Sequence, residues 1–125
     1  MCVALAVAAA CAQLAGCGGE SDRELVVKAQ QLLDKNDVKG AVIQLKNALQ
    51  KNSNSGDARL LLGRALLESG NPADAVLELD KALEAGQDKN RVMPVLARAL
   101  VYSGQQKKLL DKYASTQLKI GRAHV

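Results

Sequence analysis

The sequence predicts an all-α protein, a solenoid of helical hairpins with about two and a half 34-residue repeats and six helices. Three observations predict it. The apolar residues are almost all aliphatic: 48% of the 125 residues are hydrophobic and 2% aromatic, with Tyr102 and Tyr113 the two aromatics. Ala and Leu are strong helix formers, whereas strands favour β-branched and aromatic side chains. Apolar residues recur at helical spacing between short turn segments. Finally, small and large aliphatics recur 34 residues apart without gaps. A base-stacking nucleic-acid module is excluded, since it needs aromatic platforms.

The register is explicit in the residues. Ala29, Gly63 and Ala97 share one repeat position; Leu32, Leu66 and Leu100 share another. Asn36, Gly70 and Gly104 fall together, as do Ala41, Ala75 and Leu109, and then Leu45, Leu79 and Tyr113. Ala48 and Ala82 complete the set. The units are 22–55, 56–89 and a partial third at 90–119. Such a period marks a repeat array in which each unit buries its apolar face only against its neighbours.

Each unit divides into two helices. The first unit predicts Asp22–Lys35, a turn at Asn36, then Val38–Lys51. NSNSG at 52–56 is the turn into the second unit. There, Asp57–Ser69 aligns Leu62, Leu66 and Leu67, and Gly70 supplies a left-handed stop. Asn71 caps the following helix and Pro72 takes its first position, where a missing N–H costs nothing. That helix runs Pro72–Ala85 and buries Ala75, Leu79, Ala82 and Leu83; Gly86 stops it. GQDKN at 86–90 is the next turn. The third unit predicts Arg91–Ser103, Gly104, then Gln105–Gln117, with Pro94 tolerated in a first turn.

This pattern resembles the tetratricopeptide (TPR) repeat over residues 22–117. Gly63, Ala75 and Ala82 match its small positions; Leu62, Leu66 and Leu79 match its large apolar ones. Two positions depart. Arg59 stands where Trp or another bulky apolar residue is usual; Gln87, and Ser53 in the first unit, stand where Pro is usual. These departures are expected to loosen packing between repeats. The resemblance implies a non-enzymatic scaffold that binds protein or peptide segments.

The first nineteen residues differ from the rest. They carry no charge and hold all three cysteines, so residues 20–125 offer neither a disulfide nor a zinc site. VALAVAAACA at 3–12 is shorter than the roughly 20 apolar residues a bilayer span takes, and fits the apolar part of a secretory signal. Leu14-Ala15-Gly16-Cys17 closes it and resembles the bacterial lipobox. That likeness implies a signal peptide at 1–16, diacylglycerol and acyl chains on Cys17, and a short linker at 17–21. The alternative is an ordinary signal in which Cys17 is incidental. Gly18 follows the Cys where an inner-membrane protein usually has Asp, so the likeness implies an outer-membrane protein facing the periplasm. No basic residue precedes the apolar run, so either Met1 is an internal start or the natural chain begins earlier.

With its lipobox, the run from AVIQLKNALQKNSNSG through PVLARALVYSGQ also resembles the TPR-repeat lipoproteins of the PEP-CTERM and exosortase system of Gram-negative bacteria. That family is linked with exopolysaccharide production and protein sorting at the envelope. A subunit of an outer-membrane assembly or pilus biogenesis machine is the other placement. Residues 120–125, Ile-Gly-Arg-Ala-His-Val, look like a translated sequencing adapter and are set outside the fold. His124, the single histidine, therefore receives no role, and the chain is expected to continue past Lys119.

No catalytic constellation emerges. A nucleophile needs a base within hydrogen-bond reach, and the folded part has neither His nor Cys. Glu78 and Asp80 lie two apart on a helix and point to different faces. Neither a metal, a cofactor, nucleic acid nor a small-molecule substrate is expected. Seventeen Lys and Arg against thirteen Asp and Glu give +4, interleaved as on a solvated helical surface.

Binding is the better reading. The first helix of each unit should line a concave groove. Its positions are Arg23, Val26, Gln30, Leu33 and Asp34, then Asp57, Leu60, Arg64, Leu67 and Glu68, then Arg91, Pro94, Arg98, Val101 and Tyr102. Gln30, Arg64 and Arg98 share one repeat position and form a polar column; Leu60, Leu67 and Tyr102 stand beside it. Two guanidiniums in line suit a carboxylate or an extended acidic peptide. The alternative is that both arginines pair with nearby acids or water, and that Tyr102 packs against a following unit.

Overall fold

The computed structural model describes residues 19–122, with side chains through Ser115. Cys17, the lipobox and His124 lie outside the described residues. Six helices follow in order: α1 (Asp22–Asp34), α2 (Val38–Lys51), α3 (Gly56–Glu68), α4 (Pro72–Glu84), α5 (Lys89–Tyr102) and α6 (Gln106–Arg122). No strand occurs among the described residues.

Local chemistry sets the boundaries. Ser21 and Glu24 form a capping box at α1: the Ser21 N–H donates to Glu24 Oε2 at 2.6 Å, and the Glu24 N–H donates to Ser21 Oγ at 3.2 Å. Those bonds from the Ser21 backbone and hydroxyl hold the Glu24 carboxyl below its ordinary value. Asn36, Gly70 and Gly104 all adopt positive φ, at 62°, 78° and 75°, so the shared repeat position is the left-handed stop of each first helix.

Four expectations are corrected here. Asn71 stands at the cap of α4, but its side chain makes no capping hydrogen bond. Helix α5 begins two residues early because Asp88 accepts from the Asn90 N–H at 2.9 Å. Pro94 therefore lies inside α5, beyond its first turn, where its missing N–H leaves the Asn90 carbonyl without the usual donor. Residues 120–122, set outside the fold, continue α6.

Helices α1 and α2, and α3 and α4, pair as hairpins, with α2 against α3 and α4 against α5. The first helices also meet across units, α1 with α3 and α3 with α5, whereas α2 and α4 do not. The stack therefore curves, with α1, α3 and α5 on its inner wall.

The core is entirely aliphatic; no polar or charged residue is buried among those described. One cluster joins Leu25, Ala29, Ala41, Leu45 and Ala48 to Ala58, Leu61, Leu62 and Ala65. The other joins Leu60, Ala75, Val76, Leu79 and Ala82 to Val92, Leu96, Ala99 and Leu100. Leu45, Leu79, Leu96 and Leu100 are fully buried, each contributing about 1.5–3 kcal/mol by leaving water.

Gly63 shows why one position stays small. A Cβ there would stand 2.5 Å from Leu79 Cγ. Overpacking costs about 1–3 kcal/mol, more than the roughly 0.5–1 kcal/mol a helical Ala gains over Gly. Gly63→Ala should lower the thermal midpoint by several degrees in a circular dichroism melt; an unchanged or raised midpoint would contradict this contact.

Candidate functional site

The inner wall is built from the exposed faces of α1, α3 and α5. Arg64 and Arg98, at one repeat position, are both exposed on it. Neither takes part in any of the ion pairs among the described residues, which join Lys28–Glu20, Arg59–Glu78, Lys81–Glu78, Arg91–Asp57, Lys108–Asp80 and Lys112–Asp80. Pairing with nearby acids, the alternative open from the sequence, is not what the structure has. Gln30, the third member of the column, is half-buried and donates from Nε2 to Asp34 Oδ1 at 2.8 Å.

The apolar residues beside the column divide. Tyr102 is 66% exposed, and with Ala97, Arg98 and Val101 it lines a shallow depression of about 250 Å³. Leu67 is half-buried, its side chain packed against the second core cluster. Leu60 is a correction. It is buried against α4 and α5 and offers no surface to a ligand. Its position faces the next first helix, and α5 covers it.

A larger concavity of about 500 Å³ opens where α1 and α3 begin. Arg23, Val26 and Asp57 line it, together with Asp22 and Asn52. Its rim is cross-braced. Asn52 Nδ2 donates to Asp22 Oδ2 at 2.9 Å, and Gln87 Nε2 donates to Asp57 Oδ1 at 2.7 Å. Arg91 Nη1 donates to the same Asp57 oxygen at 3.1 Å, tying the third unit to the second along the wall.

The departures at Arg59, Ser53 and Gln87 are accommodated by these and similar bonds. Arg59 is half-buried, with Nη1 on Glu78 Oε2 at 2.5 Å and Nη2 on the Ser53 carbonyl at 3.0 Å. A guanidinium thus ties α3 to α4 and to the preceding turn, where a bulky ring is usual. Periodicity alone gave no sign of this pairing, because Arg59 and Glu78 are nineteen apart and have no counterpart in the other units.

The arrangement offers hydrogen-bond donors, positive charge and a phenol on a concave wall. Among the described residues no group of three His, Cys, Asp or Glu could hold a metal ion. No described helix is long and apolar enough to cross a membrane. A curved stack of helical hairpins of this kind defines a repeat scaffold.

Comparison with protein families matches residues 32–105 to the Tetratricopeptide repeat family, well over half of the chain. The chain belongs to that family, whose domains are typically non-catalytic protein-binding modules. No curated protein and no solved structure matches it.

Helix α6 is held to the second unit by charge. Asp80 on α4 accepts from Lys108 Nζ at 2.8 Å and from Lys112 Nζ. Burial pushes the Asp80 carboxyl up, but the hydrogen bonds and charges of the two lysines outweigh it and hold the carboxyl below its usual value. A depressed carboxylate stabilises the fold above its unfolded pKa, and that contribution is lost as pH falls through the folded value. Amide exchange in α6 should therefore accelerate relative to α4 on acidification through and below the usual carboxylate range. Asp80→Asn should be fast already at neutral pH and show a flatter profile. Matching profiles in the two proteins would rule out this tether.

Proposed function

We propose that the chain is a protein-binding scaffold lipoprotein of the Gram-negative envelope that grips an extended acidic segment along its inner wall. One observation carries the groove: Arg64 and Arg98 are exposed, in register and without a carboxylate partner among the described residues. Guanidinium forks bind carboxylates bidentately, and such charge-assisted bonds are about twice as strong as neutral ones. Tyr102 and Val101 offer apolar contact beside Arg98.

The anchor rests on Leu14-Ala15-Gly16-Cys17, which supplies the small residues and the thiol that lipidation requires. Several acyl chains on Cys17 would hold the stack stably at the outer membrane, facing the periplasm. The likeness of the repeats to the PrsT-type lipoproteins favours the PEP-CTERM and exosortase system, and with it exopolysaccharide-associated sorting, as the setting.

A labelled Glu- and Asp-rich peptide should bind in fluorescence anisotropy, and a Lys-rich one should not. Replacing both arginines, Arg64→Ala with Arg98→Ala, should weaken binding about tenfold or more, the equivalent of about 1.4 kcal/mol. The melting midpoint should hold, because exposed unpaired side chains contribute within about 0.5 kcal/mol. Equal affinity in the double variant would end the groove reading. The anchor is tested separately. Cys17→Ser should abolish palmitate labelling and move the protein from the membrane to the soluble fraction; unchanged labelling and fractionation would refute it.

A further inference from the structure

The outer wall of the stack differs between its first two units. Ile43 on α2 and Leu77 on α4 share one repeat position, and they are 58% and 53% exposed. Leu77 stays exposed although α4 packs against both α3 and α5. The position therefore faces outward in an assembled stack, and the exposure of Ile43 does not depend on a neighbouring unit.

The surroundings of the two residues are opposite in charge. Lys39 and Lys46 lie one turn before and one turn after Ile43, on the same face of α2. Both are exposed, as is Lys51, and the helix contains no acid. None of the three takes part in an ion pair among the described residues. Asp37, at the cap of α2, accepts from the Gly40 N–H at 2.9 Å. On α4 the positions of Lys39 and Lys46 are held by Ala73 and Asp80, and Leu77 stands among Asp74, Glu78, Asp80 and Glu84. Only α2 joins an exposed aliphatic to unpaired positive charge on this wall.

This helix is also the one beside the start of the described chain. A Cβ at Gly19 would stand 3.4 Å from Lys51 Nζ, so residue 19 lies against the last turn of α2. Cys17 is two residues away, a reach of at most about 7 Å. Lys39 lies about 18 Å from Lys51 along the helix axis. The acids at this end are engaged: Glu20 with Lys28 at 3.3 Å, Asp22 with Asn52, and Glu24 in the capping box. We propose that the outer face of α2, formed by Lys39, Ile43, Lys46 and Lys51, rests on the anionic phospholipid headgroups of the leaflet that holds the acyl chains of Cys17. The proposal rests on the reading of Cys17 as the anchor. Each lysine near an anionic surface strengthens such contact about fivefold, and the aliphatic side chain enters the interface. Helix α2 lies behind the inner wall, so this contact turns Arg64 and Arg98 away from the bilayer.

The test uses the full lipidated chain on vesicles, with an environment-sensitive dye on Ile43→Cys or, separately, on Leu77→Cys. On vesicles of phosphatidylethanolamine with phosphatidylglycerol, emission from position 43 should move to the blue, by an amount that shrinks as salt rises. On phosphatidylcholine the shift should be lost, and position 77 should report water on both. Lys39→Glu with Lys46→Glu should abolish the shift at position 43 while the chain still floats with the vesicles. Both lysines are exposed, so helicity and melting should hold. No shift at position 43 on the anionic vesicles would overturn the proposal and leave the anchor standing. So would an equal shift on phosphatidylcholine, at position 77, or in the double glutamate variant. A wild-type chain that does not float with phosphatidylcholine vesicles would refute the anchor itself, and this orientation with it.

Discussion

The close approach of paired helices at one small residue per hairpin is the constraint on which the stack rests. In the second unit, Gly63 of α3 meets Leu79 of α4, with no room for a Cβ. In the first, Ala29 and Leu45 hold the same positions, both fully buried. A helix pair that approaches this closely puts a large aliphatic from one helix against the backbone of the other. The next hairpin then covers what remains exposed. In the third unit the positions are Ala97 and Tyr113. The bulkier phenol there is exposed. One small-to-large pairing accordingly explains two buried clusters and one exposed surface.

Much of this was legible because side-chain size and turn chemistry act locally. Asn36, Gly70 and Gly104 marked the left-handed stops, and Pro72 marked the start of α4. What escaped depended on neighbours distant in sequence. Leu60 has the spacing of a groove residue, yet the same spacing points it at the next first helix, and α5 decides the outcome. The start of α5 was obscured by its polar opening, Asp88-Lys89-Asn90-Arg91, in which Asp88 serves as a cap rather than as part of a turn. Arg59 violated the apolar pattern, and no local rule supplied its partners. Glu78 and the Ser53 carbonyl become visible only once the hairpins are assembled.

The candidate site was legible in part for the same reason. Repeat register places Arg64 and Arg98 in one column, and register is a sequence property. Whether they are paired is not. Glu68 lies four residues beyond Arg64, a spacing at which a helix permits an ion pair, yet no bridge joins them. Gln30 is different because Asp34, one turn on, takes up its amide. The column is thus unequal: its first member is engaged, and the two guanidiniums are available.

The distribution of charge gives the stack a direction. The first unit carries a small excess of positive charge and the second an excess of negative charge, and the second holds two internal ion pairs, Arg59–Glu78 and Lys81–Glu78. The third unit is basic and spends Lys108 and Lys112 on Asp80 of the second, which ties α6 back across a unit boundary. Surface ion pairs of this sort add little stability individually. Their effect here is on position: α6 is drawn toward α4, and Leu109 packs on the second cluster while Leu110 and Tyr113 stay outside it.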